Sequence, residues 1–481
     1  MVYIPFIICL MLTKLLNLPI HFYSETIAEL FQLDWMEFLN FIFIMNWIVS
    51  FLSLIYIRIN QEIDYYQGYE ALFEDMELPK SLKIAMFTNN YYPFIGGVPI
   101  SINRLAEGLR NKGHEVFIFA PDYPHLKKQN EKQIYRVPLL FFYRSKGFDF
   151  AIANIFNRKI TSIFEENKFD VVHVHHPFWL GKKGLSLGKK YHLPVIYTYH
   201  TRLEKYAHYL PIFKKSFQNI FSHYIIKRFS QKCSAVIAPT TSAKEYLGNI
   251  GVSREKFIIP TGISLEQFSC CELVLGKQVD EFVMCSVSRL SLEKNLDFMI
   301  EGLAYIKAKS IRPFKVYLIG DGPEKEHIKN LINKYHLTNC VTLVGKLVPE
   351  AIANYYYSSD LFIYSSLSET QGMVILEAMA GGCPVVALRS SGIDDIIIDG
   401  FNGYKTKHRI DEWGDKIISL MENEENYHQM SENAYSFSLK HSINEMATSV
   451  EKIYYKRIKQ NLYLNQVVNN HVLKEQYEKI Q

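Results

Sequence analysis

Short apolar segments alternate with amphipathic stretches from residue 81 to about residue 440, and this alternation restricts the possible fold more than any other feature. Leu82 to Thr88 (LKIAMFT) has the composition of a buried strand, and Ile100 to Lys112 has the periodicity of an amphipathic helix. Strands joined through helices run parallel, and a parallel sheet is covered on both faces. The pattern therefore predicts a doubly wound α/β fold. Further strands are predicted at Val116 to Ala120, Val171 to Val174, Val195 to Tyr199 and Ala235 to Ala238.

The alternation occurs twice, which predicts two Rossmann-like domains. The segment PTGI, Pro260 to Ile263, lies between the two series and is predicted to be the linker. We expect a first domain at residues 79–263 and a second at residues 264–440. Residues 441–481 are then a crossover helix and tail, with the helix near Asn444 to Tyr463 returning to the first domain.

The remaining segment, residues 1–78, is predicted to be an extension outside both domains. It contains twenty residues without a charge, Phe38 to Ile57. A helix of that length is about 30 Å long, which matches the apolar thickness of a bilayer. The Asn and Ser residues within it leave a buried or interfacial helix as the alternative. The acidic stretch His21 to Glu37 favours an external loop, so we expect a hydrophobic helical extension at the cell membrane with both domains on the cytoplasmic side.

The two predicted domains carry opposite charge. Residues 80–260 contain 28 Lys and Arg against 11 Asp and Glu, a net charge of +17, whereas residues 261–450 contain 17 against 25, a net charge of −8. A basic surface with aromatic side chains suits an anionic membrane, where each nearby Lys or Arg contributes about 1 kcal/mol. Nucleic acid is the other partner that such charge attracts, but no nucleic-acid-binding motif accompanies it. We expect a lipid surface to contact lysines that include Lys182, Lys183, Lys189 and Lys190.

The segment SETQGMVILEAMA, Ser368 to Ala380, places two glutamates eight positions apart around a predicted strand-to-helix turn. A helix is predicted to begin near Gly372, and the first amide groups of a helix favour a phosphate or a sugar hydroxyl. Glu369 precedes this helix, whereas Glu377 lies within its apolar stretch and needs a hydrogen-bond donor there. From the spacing alone, a capping glutamate followed by a solvent-facing one is the alternative.

This segment and those around it resemble the donor-site motifs of retaining glycosyltransferases of family four, which have the two-domain GT-B fold with an interdomain cleft. SVSRLSLEKN, Ser286 to Asn295, is similar to the strand and loop that carry an arginine and a lysine in that family, here Arg289 and Lys294. LIGDGP and VGK, which begin at residues 318 and 344, are similar to the next two strands. The resemblance covers Phe282 to Lys405 in the family's order and implies a nucleotide-sugar donor.

The resemblance also implies roles for residues around the helix start. Glu369 would hold hydroxyl groups of the transferred sugar, and Glu377 would hold the ribose of the nucleotide. Transfer with retention places the acceptor on the face from which the leaving group departs, with a phosphate oxygen receiving the acceptor's proton. Thr370, Gln371 and Gly372 are predicted to complete the donor site.

No metal or cofactor is expected. Negative charge accumulates on the diphosphate as the glycosidic bond breaks, and the sequence has no DxD element to hold a metal there. We infer that Arg289, as a bidentate fork, and Lys294, as a point charge, replace the metal with help from the helix end at Gly372. The seven cysteines form no CxxC pair or zinc spacing, which favours a reducing, cytoplasmic setting.

Two segments of the first domain are predicted to line the cleft. Gly96 and Gly97 follow the first strand, as in the family, and would let backbone amides approach the donor diphosphate. Pro99 departs from the family, which commonly has a small or hydroxyl residue at that position. His200 (YTYHT) matches the family histidine that positions acceptor and donor. His176, in HVHHPFWLG, is predicted to line the acceptor wall, while the two histidines before it are open to a role inside the sheet.

The TQG form of the donor motif, together with HHPFWLG and YHTRLEKY, is most similar to enzymes that glycosylate diacylglycerol. The resemblance implies transfer of a hexose from a UDP-sugar to diacylglycerol, giving an alpha-linked glycolipid. A lipopolysaccharide core, a capsule or a polyprenyl-linked glycan is the alternative acceptor. Two alternatives belong to other classes: a membrane-tethered lipid-binding module with an inactive site, and an NAD-dependent oxidoreductase. The intact motif residues disfavour the first, and GGVPIS, which is not GxGxxG, disfavours the second.

Overall fold

The computed structural model describes residues 78–93, 96–124, 133–145, 148–200, 215–268, 271–274, 280–367, 369 and 371–469. The predicted extension up to residue 77, the predicted donor residue Thr370 and the tail after residue 469 lie outside the described residues. Within the described ranges, no helix combines the length and the apolar character that a membrane span requires. The membrane interpretation of Phe38 to Ile57 lies outside those ranges and stays a prediction.

The first domain contains a sheet of seven parallel strands in the order β3-β2-β1-β6-β7-β8-β9. Its strands, with the two of a separate ribbon, are β1 (Lys83–Phe87), β2 (Glu115–Pro121), β3 (Ile134–Val137), β4 (Leu139–Ser145), β5 (Phe148–Ala153), β6 (Val171–Val174), β7 (Val195–Thr198), β8 (Ala235–Ala238) and β9 (Lys256–Ile258). Successive side chains of β1 enter two different cores, Ala85 and Phe87 on one face and Ile84 and Met86 on the other. Burial on both faces explains why this strand is apolar without alternation.

In the described residues of this domain, five helices connect these strands, and the first begins earlier than the sequence predicts. It starts at Gly97 rather than at Ile100, so Pro99 lies inside its first turn. The missing amide of a proline costs nothing there, because the first four amides of a helix have no partner within it. Pro99 therefore fits the helix entry. The helices are α1 (Gly97–Asn111), α2 (Arg158–Asn167), α3 (Leu180–Lys190), α4 (Lys215–Ser230) and α5 (Thr241–Asn249).

The second domain contains six parallel strands in the order β12-β11-β10-β13-β14-β15. They are β10 (Phe282–Val287), β11 (Phe314–Ile319), β12 (Val341–Gly345), β13 (Leu361–Tyr364), β14 (Val385–Leu388) and β15 (Gly403–Thr406). The helices are α6 (Leu296–Lys309), α7 (Lys325–Lys334), α8 (Pro349–Ser358), α9 (Met373–Ala380), α10 (Ile410–Glu422) and α11 (Glu424–Leu439). Met284 and Cys285 of the central strand again enter different cores. The predicted pair of Rossmann-like domains is confirmed.

The chain crosses between the domains twice, at neighbouring positions. The amide of Ile263 donates to the carbonyl of His441 at 2.8 Å, and the amide of Ile443 donates to the carbonyl of Ile263 at 3.0 Å. The last helix, α12 (Ile443–Asn469), then packs on the first domain against α1. A Cβ at Gly108 of α1 would come within 2.8 Å of the Cβ of Ala447, so a glycine permits this close approach.

The carboxyl edges of the two sheets face each other. Gly97 and Met373, the first residues of α1 and α9, lie side by side, since a Cβ on Gly97 would be 3.2 Å from Cε of Met373. Both helices follow the carboxyl end of a strand. The crevice outside the carboxyl ends of parallel strands is where open α/β sheets bind ligands. The cleft between these two edges is therefore the candidate site.

Candidate active site

The donor-side turn connects β13 to α9. Gly372, the residue before α9, has a φ of +71°, which favours glycine, and a Cβ there would come 3.0 Å from Cγ2 of Ile393. The amino end of α9 has no side-chain cap in the described part of the chain. Its first amide groups can therefore donate to a ligand oxygen in the cleft.

Glu369 is held by two donors at the carboxyl ends of neighbouring strands. Nζ of Lys294 lies 2.6 Å from its Oε1, and the hydroxyl group of Tyr364 donates to the same oxygen at 2.6 Å. Lys294 also lies 3.1 Å from the Tyr364 hydroxyl oxygen. No donor of the described residues reaches the second oxygen, Oε2. The carboxylate is thus fixed in position with one oxygen open.

Tyr364 is a hydrogen-bond donor that the sequence did not indicate. Its side chain is buried at the end of β13. Burial, followed by the charge of Glu369, raises the pKa of the Tyr364 hydroxyl well above its usual value. The hydroxyl group therefore stays protonated at physiological pH and donates a hydrogen bond to the carboxylate.

Arg289 lies two residues after the end of β10 and is exposed to solvent. The backbone beside it is held by a close approach from the next loop. A Cβ at Gly320 would come 1.8 Å from the carbonyl oxygen of Ser288, and one at Gly322 would come 2.2 Å from that of Leu290. The two glycines, which resemble the family's LIGDGP turn, thus fix the backbone on which Arg289 is carried.

Glu377 contacts an arginine of the other domain. Nη2 of Arg104, in α1, lies 2.6 Å from Oε1 of Glu377, and Nη1 donates to the carbonyl of Gly262 at 3.2 Å. Within the described ranges, no donor reaches Oε2 of Glu377. The sequence analysis missed Arg104. The available signal was a charge on the buried face of an amphipathic helix, between Ser101 and Gly108.

Gln371, a predicted donor-binding residue, uses its amide on the interdomain linker. Its Oε1 accepts the amide of Thr261 at 2.9 Å, and its Nε2 donates to the carbonyl of Thr261 at 3.0 Å. The hydroxyl of Ser101 in α1 lies 2.8 Å from that of Thr261. In this structure both polar atoms of Gln371 connect the donor turn to the linker.

The glycine turn of the first domain lies opposite the donor turn. Gly96 has an extended backbone, and the helix that starts at Gly97 has no side-chain cap from a described residue. The amino ends of α1 and α9 are adjacent because Gly97 lies against Met373. Two positive helix ends beside the same cleft can both stabilise a negatively charged group bound there.

Four histidines lie at the carboxyl ends of β6 and β7, and two of them, His173 and His176, form hydrogen bonds with residues outside this cluster. His173 lies 2.6 Å from the hydroxyl of Tyr454 and 2.7 Å from that of Thr198. Nδ1 of His176, a predicted acceptor residue, accepts the amide of Asn89 at 3.2 Å. No three His, Cys, Asp or Glu side chains are arranged to hold a metal ion anywhere in the described residues.

The other two histidines contact each other, with Nδ1 of His175 2.9 Å from Nε2 of His200. Burial lowers the pKa of His173 to about 3 and that of His176 to about 4. Burial, with the charges of neighbouring histidines, lowers the pKa values of His175 and His200 well below the usual range. The whole cluster is therefore uncharged at neutral pH.

The four predicted surface lysines lie on α3 as two adjacent pairs, one in its first turn and one at its end. Residues seven apart fall on nearly the same face of a helix, so Lys182 aligns with Lys189 and Lys183 with Lys190. All except Lys183, which is half-buried, are exposed. Lys190 also donates to Glu165 at 3.2 Å. The lysines form a basic strip along the first domain.

Two family profiles match the chain. Residues 95–267 match Glycosyltransferase Family 4, and residues 274–437 match Glycosyl transferases group 1. The alpha-monoglucosyldiacylglycerol synthase of Streptococcus pneumoniae is 31% identical over 371 residues, which are 74% of this chain and 82% of that protein. This chain belongs to glycosyltransferase family four. The enzyme of the same name from Acholeplasma laidlawii is 29% identical to this glycosyltransferase over 79% of this chain and 98% of its own length.

Solved structures show the same fold. The sucrose-phosphate synthase of Thermosynechococcus elongatus superimposes on the glycosyltransferase with a TM-score of 0.62 at 18% identity, over 78% of this chain and 98% of the other. Anabaena HepE, solved with UDP and glucose, gives a TM-score of 0.60 at 18% identity, over 77% and 99%. The glycosyltransferase therefore has the GT-B fold.

The structure of the glycosyltransferase brings most of the predicted donor residues together. Glu369 and Lys294 are in direct contact, and Gly97 meets the start of α9 across the cleft. His176 and His200 lie at the carboxyl edge of the other sheet, as a second group. The sequence motifs gave no sign of Arg104 and Tyr364, and they left His175 open to a role inside the sheet; each of the three contacts a predicted residue.

Proposed function

We propose that the glycosyltransferase transfers a hexose, with retention, from a UDP-sugar to diacylglycerol. The observation that carries this proposal is the pair of carboxylate oxygens on Glu369 and Glu377 without a described donor, one before and one after the uncapped start of α9 in the chain. A UDP-sugar has hydroxyl groups on both sides of its diphosphate, on the hexose and on the ribose. The order of carboxylate, helix end and carboxylate matches that order of groups.

In the proposed step, the bond between C1 of the sugar and the UDP oxygen breaks. The acceptor oxygen forms its bond to C1 on the same face, and the acceptor proton passes to the departing phosphate oxygen. Lys294 and Arg289, with the amino end of α9, stabilise the charge that accumulates on UDP, and no metal takes part. A positioned donor of this kind lowers the barrier by about 3 kcal/mol.

The acceptor side of the proposal is supported by the uncharged histidine cluster. Diacylglycerol offers a neutral hydroxyl group, and a neutral histidine accepts or donates a hydrogen bond without attracting ions. His200 is proposed to orient this hydroxyl toward C1, with His176 nearby at the acceptor wall. The names of the Streptococcus pneumoniae and Acholeplasma laidlawii relatives support diacylglycerol as the acceptor and glucose as the hexose.

We further propose that the first domain rests on the cytoplasmic face of an anionic cell membrane. The basic strip of α3 supports this proposal, and so does the ribbon of β4 and β5. Leu140, Phe141 and Phe156 are large apolar residues exposed on and beside the ribbon, and the basic residues Arg158 and Lys159 follow them. The ribbon follows β3 directly and therefore begins at the cleft edge of the sheet. An apolar surface flanked by cations suits the lipid interface.

The full-length protein in membranes, supplied with a panel of radiolabelled UDP-sugars and diacylglycerol, tests the function. We expect one UDP-hexose to label a lipid that chromatographs as monohexosyldiacylglycerol. The proton coupling at C1 of the product should show an alpha linkage. A beta linkage would overturn retention. Label that appears in a polyprenyl-linked or polysaccharide product, with none in diacylglycerol, would overturn the acceptor.

Vesicles of defined composition test the membrane surface. Lys182→Ser combined with Lys189→Ser should lower transfer to diacylglycerol in anionic vesicles by roughly tenfold, because two cations leave the interface. The same variant should match the parent protein on diacylglycerol dispersed in neutral detergent micelles. Lys307→Ser with Lys309→Ser, on α6 of the second domain, provides the control. Equal losses on vesicles and micelles would contradict the proposed contact.

A further inference from the structure

The ion pair between Arg104 and Glu377 joins the two domains inside the cleft. Arg104 belongs to α1 of the first domain, and Glu377 lies in the second turn of α9 in the second. The two residues are 273 positions apart in the chain, and their side chains are only 10% and 18% exposed. The contact is therefore shielded from most of the solvent screening that weakens surface ion pairs.

The ion pair uses only one of the two carboxylate oxygens of Glu377. Arg104 takes Oε1, while Oε2 has no donor among the described residues. A carboxylate oxygen in a partly buried position is costly unless a donor reaches it. Glu369 shows the same arrangement, with Oε1 taken by Lys294 and Oε2 open. In both cases a cation fixes the orientation of the carboxylate and leaves one oxygen for an incoming hydroxyl group.

Arg104 is also connected to the interdomain linker. Its second amino group donates to the carbonyl of Gly262, next to Thr261, which is held by Gln371 of the donor turn. Ser101, one helical turn before Arg104, contacts the hydroxyl of Thr261. Helix α1, the linker and the donor turn thus share one buried network. A shift of Glu377 would be transmitted to the first domain through Arg104.

We infer that Arg104 is a positioning residue that orients the Glu377 carboxylate toward the hydroxyl groups of the nucleotide ribose. Through this contact, ribose binding in the second domain also fixes the position of α1 and of the glycine turn at its start. The inference rests on the proposed function, because it needs a nucleotide ribose at Glu377. A partly buried ion pair contributes little net stability compared with apolar packing, so fold stability alone is a weak reason for this arginine.

Binding of nucleotides to the full-length protein tests the inference without an acceptor or a sugar. We would titrate UDP and 2′,3′-dideoxy-UDP by calorimetry, and GDP with its dideoxy form in parallel. The ratio of the two affinities measures what the ribose hydroxyls contribute. For the parent protein we expect UDP to bind at least about tenfold more tightly than its dideoxy form, as befits hydrogen bonds to a charged group.

Arg104→Gln should reduce this ratio to about threefold or less. Arg104→Lys, which keeps the charge but not the fork, should lie between the two. Glu377→Gln should also reduce the ratio, and adding Arg104→Gln to it should change the ratio little further, because the two residues act on the same contact. A general loss of stability would instead weaken both nucleotides equally and leave the ratio unchanged.

Arg457→Gln is the matched control. Arg457 is as buried as Arg104 and pairs with Glu255, but it lies on α12, away from the cleft. Its loss should lower the melting temperature and leave the ratio of the two affinities unchanged.

If Arg104→Gln keeps the parent ratio, the inference is overturned while the proposed donor stands. If the parent protein discriminates between the GDP forms instead, the proposed UDP donor is wrong and the GDP ratios decide the role of Arg104. If neither nucleotide is favoured over its dideoxy form, both are overturned.

Discussion

The two edges of the cleft differ in the ionisable side chains that they carry. On the donor edge, two carboxylates of the motif form ion pairs: Glu369 with Lys294, and Glu377 with Arg104. On the acceptor edge, four histidines cluster with pKa values lowered by burial, so these four side chains are uncharged at neutral pH. The difference suits a reaction in which negative charge develops on a leaving diphosphate, while the attacking group is a neutral alcohol.

Replacing the motif carboxylate should have the largest effect on the donor edge. Glu369→Gln keeps the shape of the side chain but removes the charge that binds Lys294, and one amide hydrogen would face the Tyr364 hydroxyl. We expect transfer to fall by about 10³-fold, since a positioned group of this kind contributes 10²–10³ in rate. Steady-state kinetics with UDP-hexose and diacylglycerol measures this.

The control for this change is Glu350→Gln, an exposed glutamate on α8 of the same domain. It should leave the rate within twofold of the parent protein, by roughly the ordinary tolerance of exposed positions. Circular dichroism should show that both variants are folded. Near-normal turnover by Glu369→Gln would show that the charge pairing of the donor edge is structural rather than catalytic.

The cations of the donor edge should come next. Lys294→Ala and Arg289→Ala should each lower turnover by about 10²-fold, because each removes a charge that we propose stabilises the leaving diphosphate. Lys294→Ala also frees Glu369 from its ion pair, so its effect should be the larger of the two. Turnover is measured with and without added Mg²⁺. Recovery of activity by Mg²⁺ would mean that a metal can occupy this edge and would refute the metal-free scheme.

The donor turn was predictable because its signals are local. The apolar run Leu361 to Tyr364 favours a strand and the residues Met373 to Ala380 favour a helix, and the structure has a strand and a helix with these bounds. An apolar run, a glycine and a series of strong helix formers determine this order without tertiary contacts. Gly372 ends the turn with a positive φ, which few other residues adopt.

The partners of the motif residues were not predictable in the same way. Arg104 and Glu377 are 273 positions apart, and no periodicity in one sequence reports such a contact. The apolar run that ends at Tyr364 indicates only a buried strand, although the hydroxyl group of Tyr364 donates to Glu369. The ribbon of β4 and β5 was missed because its apolar and polar residues do not alternate regularly, with Leu140 and Phe141 both exposed. Local patterns therefore found the elements, while the pairing of charges came from the fold.

Tyr364→Phe tests whether the donor edge needs a second hydrogen bond to Glu369. The change removes one oxygen and keeps the buried ring, so the fold should remain. We expect turnover to fall by roughly tenfold, because a hydrogen bond to a charged group contributes about 1.5–3 kcal/mol and Lys294 still holds the carboxylate. The Michaelis constant for the donor should change less than turnover. Tyr355→Phe, on α8, is the control.

For the acceptor edge, we predict how the stability of the protein depends on pH rather than how its rate changes. The pKa of His176 is lowered to about 4 in the folded protein, against about 6.5 in the unfolded chain. Below pH 6.5 the unfolded chain therefore binds a proton that the folded protein does not. Stability is complete above pH 6.5 and is lost as the pH falls toward 4, by up to about 1.4 kcal/mol per pH unit for one such histidine.

His176→Asn keeps an oxygen near the position of Nδ1 and does not titrate, so it should flatten the loss of stability between pH 6.5 and 5. Urea unfolding across that range measures the slope. His327→Asn is an opposite control, since Asp297 raises the pKa of His327 and that histidine adds stability on acidification. Its removal should make the loss steeper. If His176→Asn leaves the slope of the parent protein unchanged, then the pKa of His176 is the same in the folded protein and in the unfolded chain, and burial does not keep this histidine uncharged.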